Sequence, residues 1–136
     1  MNNDVQYEVR GRFGLVTLNR AKALNALSLA MVRELTRILL QWQDDAAVEA
    51  VAIRGMGKEG PFGAFCAGGD IRFCHQAALA GGPRLEDFFT EEYALNHLIH
   101  RFPKPYVVFM YGIVMGGGMG IAGHGAANAL RIATER

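Results

Sequence analysis

The sequence has few of the features that mark secreted, membrane-spanning or nucleic-acid-binding proteins. It contains only two cysteines, Cys66 and Cys74, which we interpret as reduced thiols of a cytoplasmic protein. Its 14 basic residues almost balance its 13 acidic ones, and a net charge of +1 argues against binding to nucleic acid or an anionic membrane. No apolar run approaches the roughly 18 residues of a membrane helix, and we expect no targeting segment.

What the sequence does contain is a globular composition and a regular order of apolar segments. Hydrophobic residues make up 51% of the 136 residues and charged residues 20%, which is typical of one folded domain. Strands alternate with helices, and this order predicts an α/β fold with a parallel sheet. The predicted strands are Val5–Arg10, Phe13–Asn19, Val48–Gly55, Tyr106–Val114 and "ALRIATE", and the predicted helices are Leu29–Trp42 with Ser28 as N-cap, Ile71–Ala80 and Leu85–Phe102.

Two glycine-rich loops each follow a buried strand: "GAFCAGGDI" and "MGGGMGI". In parallel α/β sheets, ligands bind beyond the carboxyl ends of the strands, so both loops lie where a site is expected. Backbone N–H groups left bare by small residues can stabilise an oxyanion. The alternative is that these glycines only allow tight turns and close contacts. Two such loops after successive strands favour the functional interpretation.

Partial motifs for two other kinds of site occur in the sequence. The pattern G-x-G-x-x-G occurs at Gly55–Gly60 and Gly118–Gly123, but the first is followed by Pro61 instead of a helix. The second comes late in the chain, whereas a dinucleotide fingerprint normally begins its domain. His97 and His100 have the spacing of a metal pair but no third ligand in register. We therefore expect no metal and no redox cofactor.

Glu92 is the acidic residue whose position needs an explanation. If Leu85–Phe102 is a helix, Glu92 falls inside its apolar stripe, and a carboxylate on a buried face requires a partner or a ligand. Pairing with an arginine such as Arg72 or Arg101, or contact with a substrate, would each satisfy this requirement.

The segments "GLVTLNRAKALNAL", "GAFCAGGDI" and "YGIVMGGGMGI" together resemble the crotonase (enoyl-CoA hydratase/isomerase) superfamily. "FFTEEYALN" and "RIATER" are similar to its hydrolase branch, which acts on 3-hydroxyisobutyryl-CoA. The resemblance implies a crotonase-type spiral of ββα units. It also implies that residues 1–136 are the N-terminal part of one such domain, incomplete at the C-terminal end.

The resemblance assigns roles to particular residues. Ala67 and Gly117 would supply the two backbone N–H groups of an oxyanion hole for the thioester oxygen. Further substrate contacts would come from Glu92, Gly116 and Gly120. The residues matching the CoA-binding segments are Arg20, Lys22, Ala23, Leu24 and Asp70.

The reaction implied is hydrolysis of a short hydroxyacyl-CoA thioester, with CoA as part of the substrate. Gly120 stands where hydratases of the superfamily carry a catalytic glutamate, which favours hydrolysis over water addition. The catalytic carboxylates of the hydrolase branch match positions beyond Arg136, so the alternatives are a hydratase or isomerase and a catalytically incomplete acyl-CoA-binding fragment. We expect association as a homo-oligomer or with the missing C-terminal segment.

Overall fold

A computed structural model of the protein describes residues 4–23, 25–57, 71–81, 84–111 and 129–134. These residues form a five-stranded sheet, three α-helices and one short 3₁₀ turn. The strands are β1 (Val5–Arg10), β2 (Phe13–Leu18), β3 (Ala50–Gly55), β4 (Tyr106–Tyr111) and β5 (Ala129–Thr134). The helices are α1 (Leu29–Gln43), α2 (Ile71–Ala80) and α3 (Arg84–His100), and the 3₁₀ turn covers Ala21–Ala23.

The strands lie in sequence order, β1-β2-β3-β4-β5. β1 and β2 form an antiparallel hairpin whose turn contains Gly11 at a φ of +61°, a conformation that glycine adopts without strain. The other three pairings are parallel. The prediction of an α/β fold with a parallel sheet is therefore confirmed.

Helix α1 begins where the sequence predicts. The Ser28 hydroxyl oxygen accepts a hydrogen bond from the Met31 N–H at 3.2 Å, which satisfies one of the unpaired donors of the first turn. Near the other end, the Lys104 ammonium donates to the carbonyl oxygens of Trp42 and Asp45, at 2.7 Å from the latter. A cation at this end is favourable because the last carbonyl groups of a helix carry partial negative charge.

One face of the sheet packs against α1 and α3 and forms the core. Side chains on this face are almost completely buried, and the strand registers place them in rows across β2, β3 and β4. The helix side chains that meet them recur at helical spacing. The sheet contributes Val16, Leu18, Val51, Ile53, Tyr106 and Val108, and the helices contribute Leu29, Val32, Leu35, Ile38, Leu39, Trp42, Phe88, Leu95 and Ile99.

Several predicted boundaries shift by a few residues. β2 ends at Leu18, one residue earlier than predicted, and the Asn19 N–H still bonds the Asp4 carbonyl at 2.7 Å. β3 begins at Ala50 instead of Val48, because the Val48 N–H closes a turn onto the Asp45 carbonyl at 3.0 Å. α3 ends at His100, although Phe102 is buried in the core as its spacing predicts. The helix expected after the glycine run lies outside the described residues.

Trp42 fixes the distance between α1 and the sheet, and Gly14 in β2 makes its position possible. A Cβ atom at Gly14 would lie 2.5 Å from the Trp42 ring, which is 2% exposed and packs edge-on to Tyr7. Overpacking a well-packed core costs about 1–3 kcal/mol. We therefore expect Gly14→Ala to lower the free energy of unfolding by that amount, as measured by chemical denaturation.

Gly11→Asn is the matched control for this prediction. Nothing lies within 4 Å of a Cβ atom at Gly11, and asparagine tolerates its left-handed backbone. We expect a change within about 0.5 kcal/mol. A Gly14→Ala variant as stable as the parent would contradict the packing described for Trp42.

Candidate active site

The carboxyl ends of β2, β3 and β4 lie side by side at one edge of the sheet. Leu18 in β2 pairs with Gly55 in β3, and Arg54 pairs with Phe109 in β4. Because the three strands are parallel, the segments that follow them start from the same edge. These are the predicted CoA-binding segment after β2 and the two glycine-rich segments after β3 and β4. The pairing thus brings together the starting points of all the predicted substrate-binding loops.

The segment after β2, described at residues 20–23 and 25, forms a compact loop, which we call the β2 loop. Its own backbone closes it, since the N–H groups of Ala23 and Asn25 bond the Arg20 carbonyl at 3.0 and 2.9 Å. The Asn25 side chain is completely buried and makes hydrogen bonds in two directions. Its Oδ1 accepts from the Arg20 N–H at 2.7 Å, and its Nδ2 donates to the carbonyl of Met56, just after β3, at 3.1 Å.

The two cations of the β2 loop have different surroundings. The Arg20 guanidinium is half-buried, donates to the Ala26 carbonyl at 2.9 Å and lies 3.9 Å from the Asp4 carboxylate. Lys22 is exposed and makes no hydrogen bond or ion pair with the described residues. An anionic ligand can therefore pair with the Lys22 ammonium without breaking a contact that Lys22 makes with the described residues.

Glu92 lies on α3 between the buried face and the exposed face. It is half-buried and has no hydrogen-bond or ion-pair partner within the described part of the chain. Burial raises the pKa of the Glu92 carboxyl above its ordinary value of 4.5. Arg101, one of the two partners considered from the sequence, is exposed and makes no such pair, and the side chain of Arg72 lies outside the described residues.

The neighbouring carboxylate, Glu91, has the arginine partner instead. The Arg33 Nε and Nη2 atoms on α1 donate to its two oxygens at 2.9 Å each, a bidentate pair that joins α1 to α3. The hydrogen bonds from Arg33 lower the pKa of the Glu91 carboxyl. The sequence did not indicate which of the two carboxylates would be paired, because that depends on where α1 crosses α3.

Asn96 is a polar residue near Glu92 that belongs to none of the sequence motifs. It lies one helical turn further along α3, and its side-chain oxygen is buried with no hydrogen-bond partner in the described ranges. It borders an open cavity of about 370 Å³ together with Tyr93, His97 and His100. The i, i+4 spacing from Glu92 was the available signal, since it places both side chains on one side of the helix.

The structure does not describe six of the predicted site residues. They are Leu24, Ala67, Asp70, Gly116, Gly117 and Gly120, which all lie outside the described residues. The oxyanion hole therefore stays a prediction. Among the residues that are described, no group of three or more His, Cys, Asp or Glu side chains could hold a metal ion. No described helix is both long and apolar enough to cross a membrane.

Comparison with known proteins identifies the family to which this fold belongs. The family described as Enoyl-CoA hydratase/isomerase matches residues 13–136. The chain belongs to this family. Solved structures agree: a carnitinyl-CoA dehydratase from Mycobacterium thermoresistibile superposes with a TM-score of 0.87 and 44% identity, covering 97% of this chain and 37% of that one. An enoyl-CoA hydratase from Rhodobacter sphaeroides superposes with a TM-score of 0.82 and 40% identity, covering 96% of this chain and 39% of that one. The predicted crotonase-type fold is confirmed.

The chain is also similar to curated proteins that share one name. Proteins named mitochondrial 3-hydroxyisobutyryl-CoA hydrolase are similar to this chain over nearly its whole length. The Danio rerio protein is 46% identical and the Homo sapiens protein 43%, each over 98% of this chain and 33% of its own length. The chain thus spans about a third of the length of these relatives.

The opposite surroundings of Glu91 and Glu92 predict opposite effects on stability. A carboxyl whose pKa is raised on folding destabilises the folded state when charged, and this cost disappears below pH 4.5, where both states are protonated. We expect Glu92→Gln to raise the Tm of the complete gene product at neutral pH and to leave it unchanged below pH 4.5.

Glu91→Gln is the matched control for Glu92→Gln, and it has the opposite sign. The lowered pKa of Glu91 stabilises the fold above pH 4.5, and this contribution is lost as the pH falls through the lowered value. Glu91→Gln should therefore lower the Tm at neutral pH. Thermal melts across this pH range would contradict the account if both variants shifted the Tm in the same direction.

Proposed function

We propose that the complete protein hydrolyses a short hydroxyacyl-CoA thioester of the 3-hydroxyisobutyryl-CoA type. The observation that carries this proposal is Glu92, a half-buried carboxylate without a described protein partner, in a family of acyl-CoA enzymes. A hydrogen bond donated by a ligand would offset the cost of burying such a carboxylate. The hydroxyl group of the acyl chain is such a donor. The Asn96 side-chain oxygen, which has no hydrogen-bond partner among the described residues, is a second acceptor on the same helix.

The proposed chemistry uses the two glycine-rich loops. The N–H groups of Ala67 and Gly117 would hold the thioester oxygen as negative charge develops on it, and one such donor contributes about 2.7–4 kcal/mol. Water attacks the carbonyl carbon, the C–S bond breaks, and CoA leaves with the sulfur and takes up a proton. By resemblance, the carboxylates that activate the water come from positions beyond Arg136. Gly116 and Gly120 leave room for the acyl group.

At the other end of the substrate, we propose that the β2 loop binds the CoA phosphates and adenine. Lys22 supplies the exposed charge, while the contacts of Arg20 hold the loop in shape. The resemblance also assigns CoA contacts to Ala23, Leu24 and Asp70. A homo-oligomer and a cytoplasmic location remain predictions, and the mitochondrial location in the names of the vertebrate relatives is said of those proteins.

A second candidate is water addition to a 2-enoyl-CoA. The two solved relatives named carnitinyl-CoA dehydratase and enoyl-CoA hydratase favour it. Gly120 argues against it, because glycine offers no side chain to deliver or remove the proton that this addition requires.

Activity measurements separate these two reactions. We expect the complete gene product to release CoA from 3-hydroxyisobutyryl-CoA with a higher kcat/KM than it adds water to a 2-enoyl-CoA of matched length. CoA release is followed with a thiol reagent and hydration by the loss of enoyl absorbance. Faster hydration than hydrolysis would overturn the proposal.

The role of Lys22 can be tested separately. An exposed charge contact contributes up to about 1 kcal/mol, so Lys22→Ala should raise the KM for the acyl-CoA roughly fivefold without changing kcat. Arg12→Ala is the control, because Arg12 is also exposed but pairs with Glu49 at the opposite edge of the sheet. An equal effect of the two substitutions would contradict a CoA-binding role for Lys22.

A further inference from the structure

Asn25 combines three features that are uncommon together: a completely buried polar side chain, hydrogen bonds to two separate segments, and a left-handed backbone. We propose that Asn25 is a positioning residue that fixes the β2 loop to the carboxyl end of β3. In this position it sets where the CoA-binding loop stands relative to the segment that leads to Ala67. This inference rests on the proposed function.

The hydrogen bonds around Asn25 connect three parts of the edge. Its Oδ1 holds the start of the β2 loop through the Arg20 N–H at 2.7 Å. Its Nδ2 reaches the Met56 carbonyl at 3.1 Å, while the Met56 N–H bonds the Leu18 carbonyl at 2.7 Å. The loop, the end of β2 and the first residue after β3 are therefore held together, and the Asn25 side chain connects the loop directly to Met56.

The backbone of Asn25 explains why this residue type is needed. Its φ of 57° makes it the one non-glycine residue at positive φ in the described ranges. Asparagine tolerates this conformation better than most residues with a Cβ atom. It also carries an acceptor and a donor on one planar group. Glycine would keep the backbone but lose both hydrogen bonds, and aspartate would keep the acceptor but lose the donor.

Several other contacts of the loop lead to segments other than β3. The Arg20 side chain bonds Ala26 and approaches Asp4, and the backbone bonds of Ala23 and Asn25 return to Arg20 itself. These contacts shape the loop and connect it to Asp4, the residue before β1. Removing the Asn25 side chain should therefore leave a folded loop that has lost a connection to β3, and Lys22 would move relative to the rest of the substrate site.

Asn25→Gly in the complete gene product is the direct test. We expect the KM for the acyl-CoA to rise roughly fivefold or more, as for the loss of a buried hydrogen bond. The KM for the corresponding acyl-pantetheine, which lacks the nucleotide, should change less than twofold. Gly14→Ala is the control, because it destabilises the sheet away from the loop, and it should lower the Tm while leaving both KM values unchanged.

A loss of stability without a change in KM would contradict the inference. If Asn25→Gly lowers the Tm but leaves the KM for the acyl-CoA unchanged, as Gly14→Ala does, Asn25 has only a structural role and the inference is wrong. Should Asn25→Gly not fold, Asn25→Asp is judged by the same two KM values at high salt, where the added charge is screened.

Failure of the proposed function would be recognised independently. If the parent protein releases no CoA from the thioester, binding of CoA itself is measured by calorimetry. Weaker binding by Asn25→Gly than by the parent and Gly14→Ala would support the inference without any catalysis. Equal binding by all three proteins, or no binding by the parent, would overturn it.

Discussion

The parallel pairing of β2 with β3 and of β3 with β4 is the constraint on which the candidate site depends. It places the ends of three strands at one edge, so segments far apart in the chain begin next to one another. The core beneath holds the strands in this register, because a slip by one residue would move every buried side chain to the opposite face. Trp42 and Gly14 illustrate how little room that core leaves.

Two adjacent carboxylates on α3 have opposite surroundings in the same fold. Glu91 faces α1, pairs with Arg33 and contributes to the packing of the two helices. Glu92 is turned about 100° further around α3, where burial disfavours its charge and no described residue compensates it. A fold that keeps such a group sacrifices some stability, which is a known feature of binding and catalytic sites.

Much of the fold could be predicted because local signals and tertiary packing agree. The Ser28 cap, the helical spacing from Leu29 to Trp42 and the turn at Gly11 each determine an element by short-range physics. The site could be predicted only in part. Glu92 stood out because it interrupts an apolar stripe, and its pKa shift fits that position.

The remaining features depend on contacts that no local pattern encodes. The pairing of Arg33 with Glu91 joins residues 58 positions apart, and the bond from Asn25 to Met56 joins residues 31 positions apart. Asn25 did carry a signal, since asparagine favours turns and left-handed backbone. That signal does not say which distant carbonyl the side chain will reach.

The central claim is that an acyl-CoA lies across the carboxyl edge of β2, β3 and β4. A crystal structure of the complete gene product with a non-hydrolysable thioether analogue of 3-hydroxyisobutyryl-CoA tests it most directly. The account predicts the carbonyl oxygen between the N–H groups of Ala67 and Gly117, the acyl hydroxyl near Glu92 and the CoA phosphates against Lys22. An analogue bound away from this edge, or with its carbonyl turned from both amides, would contradict it.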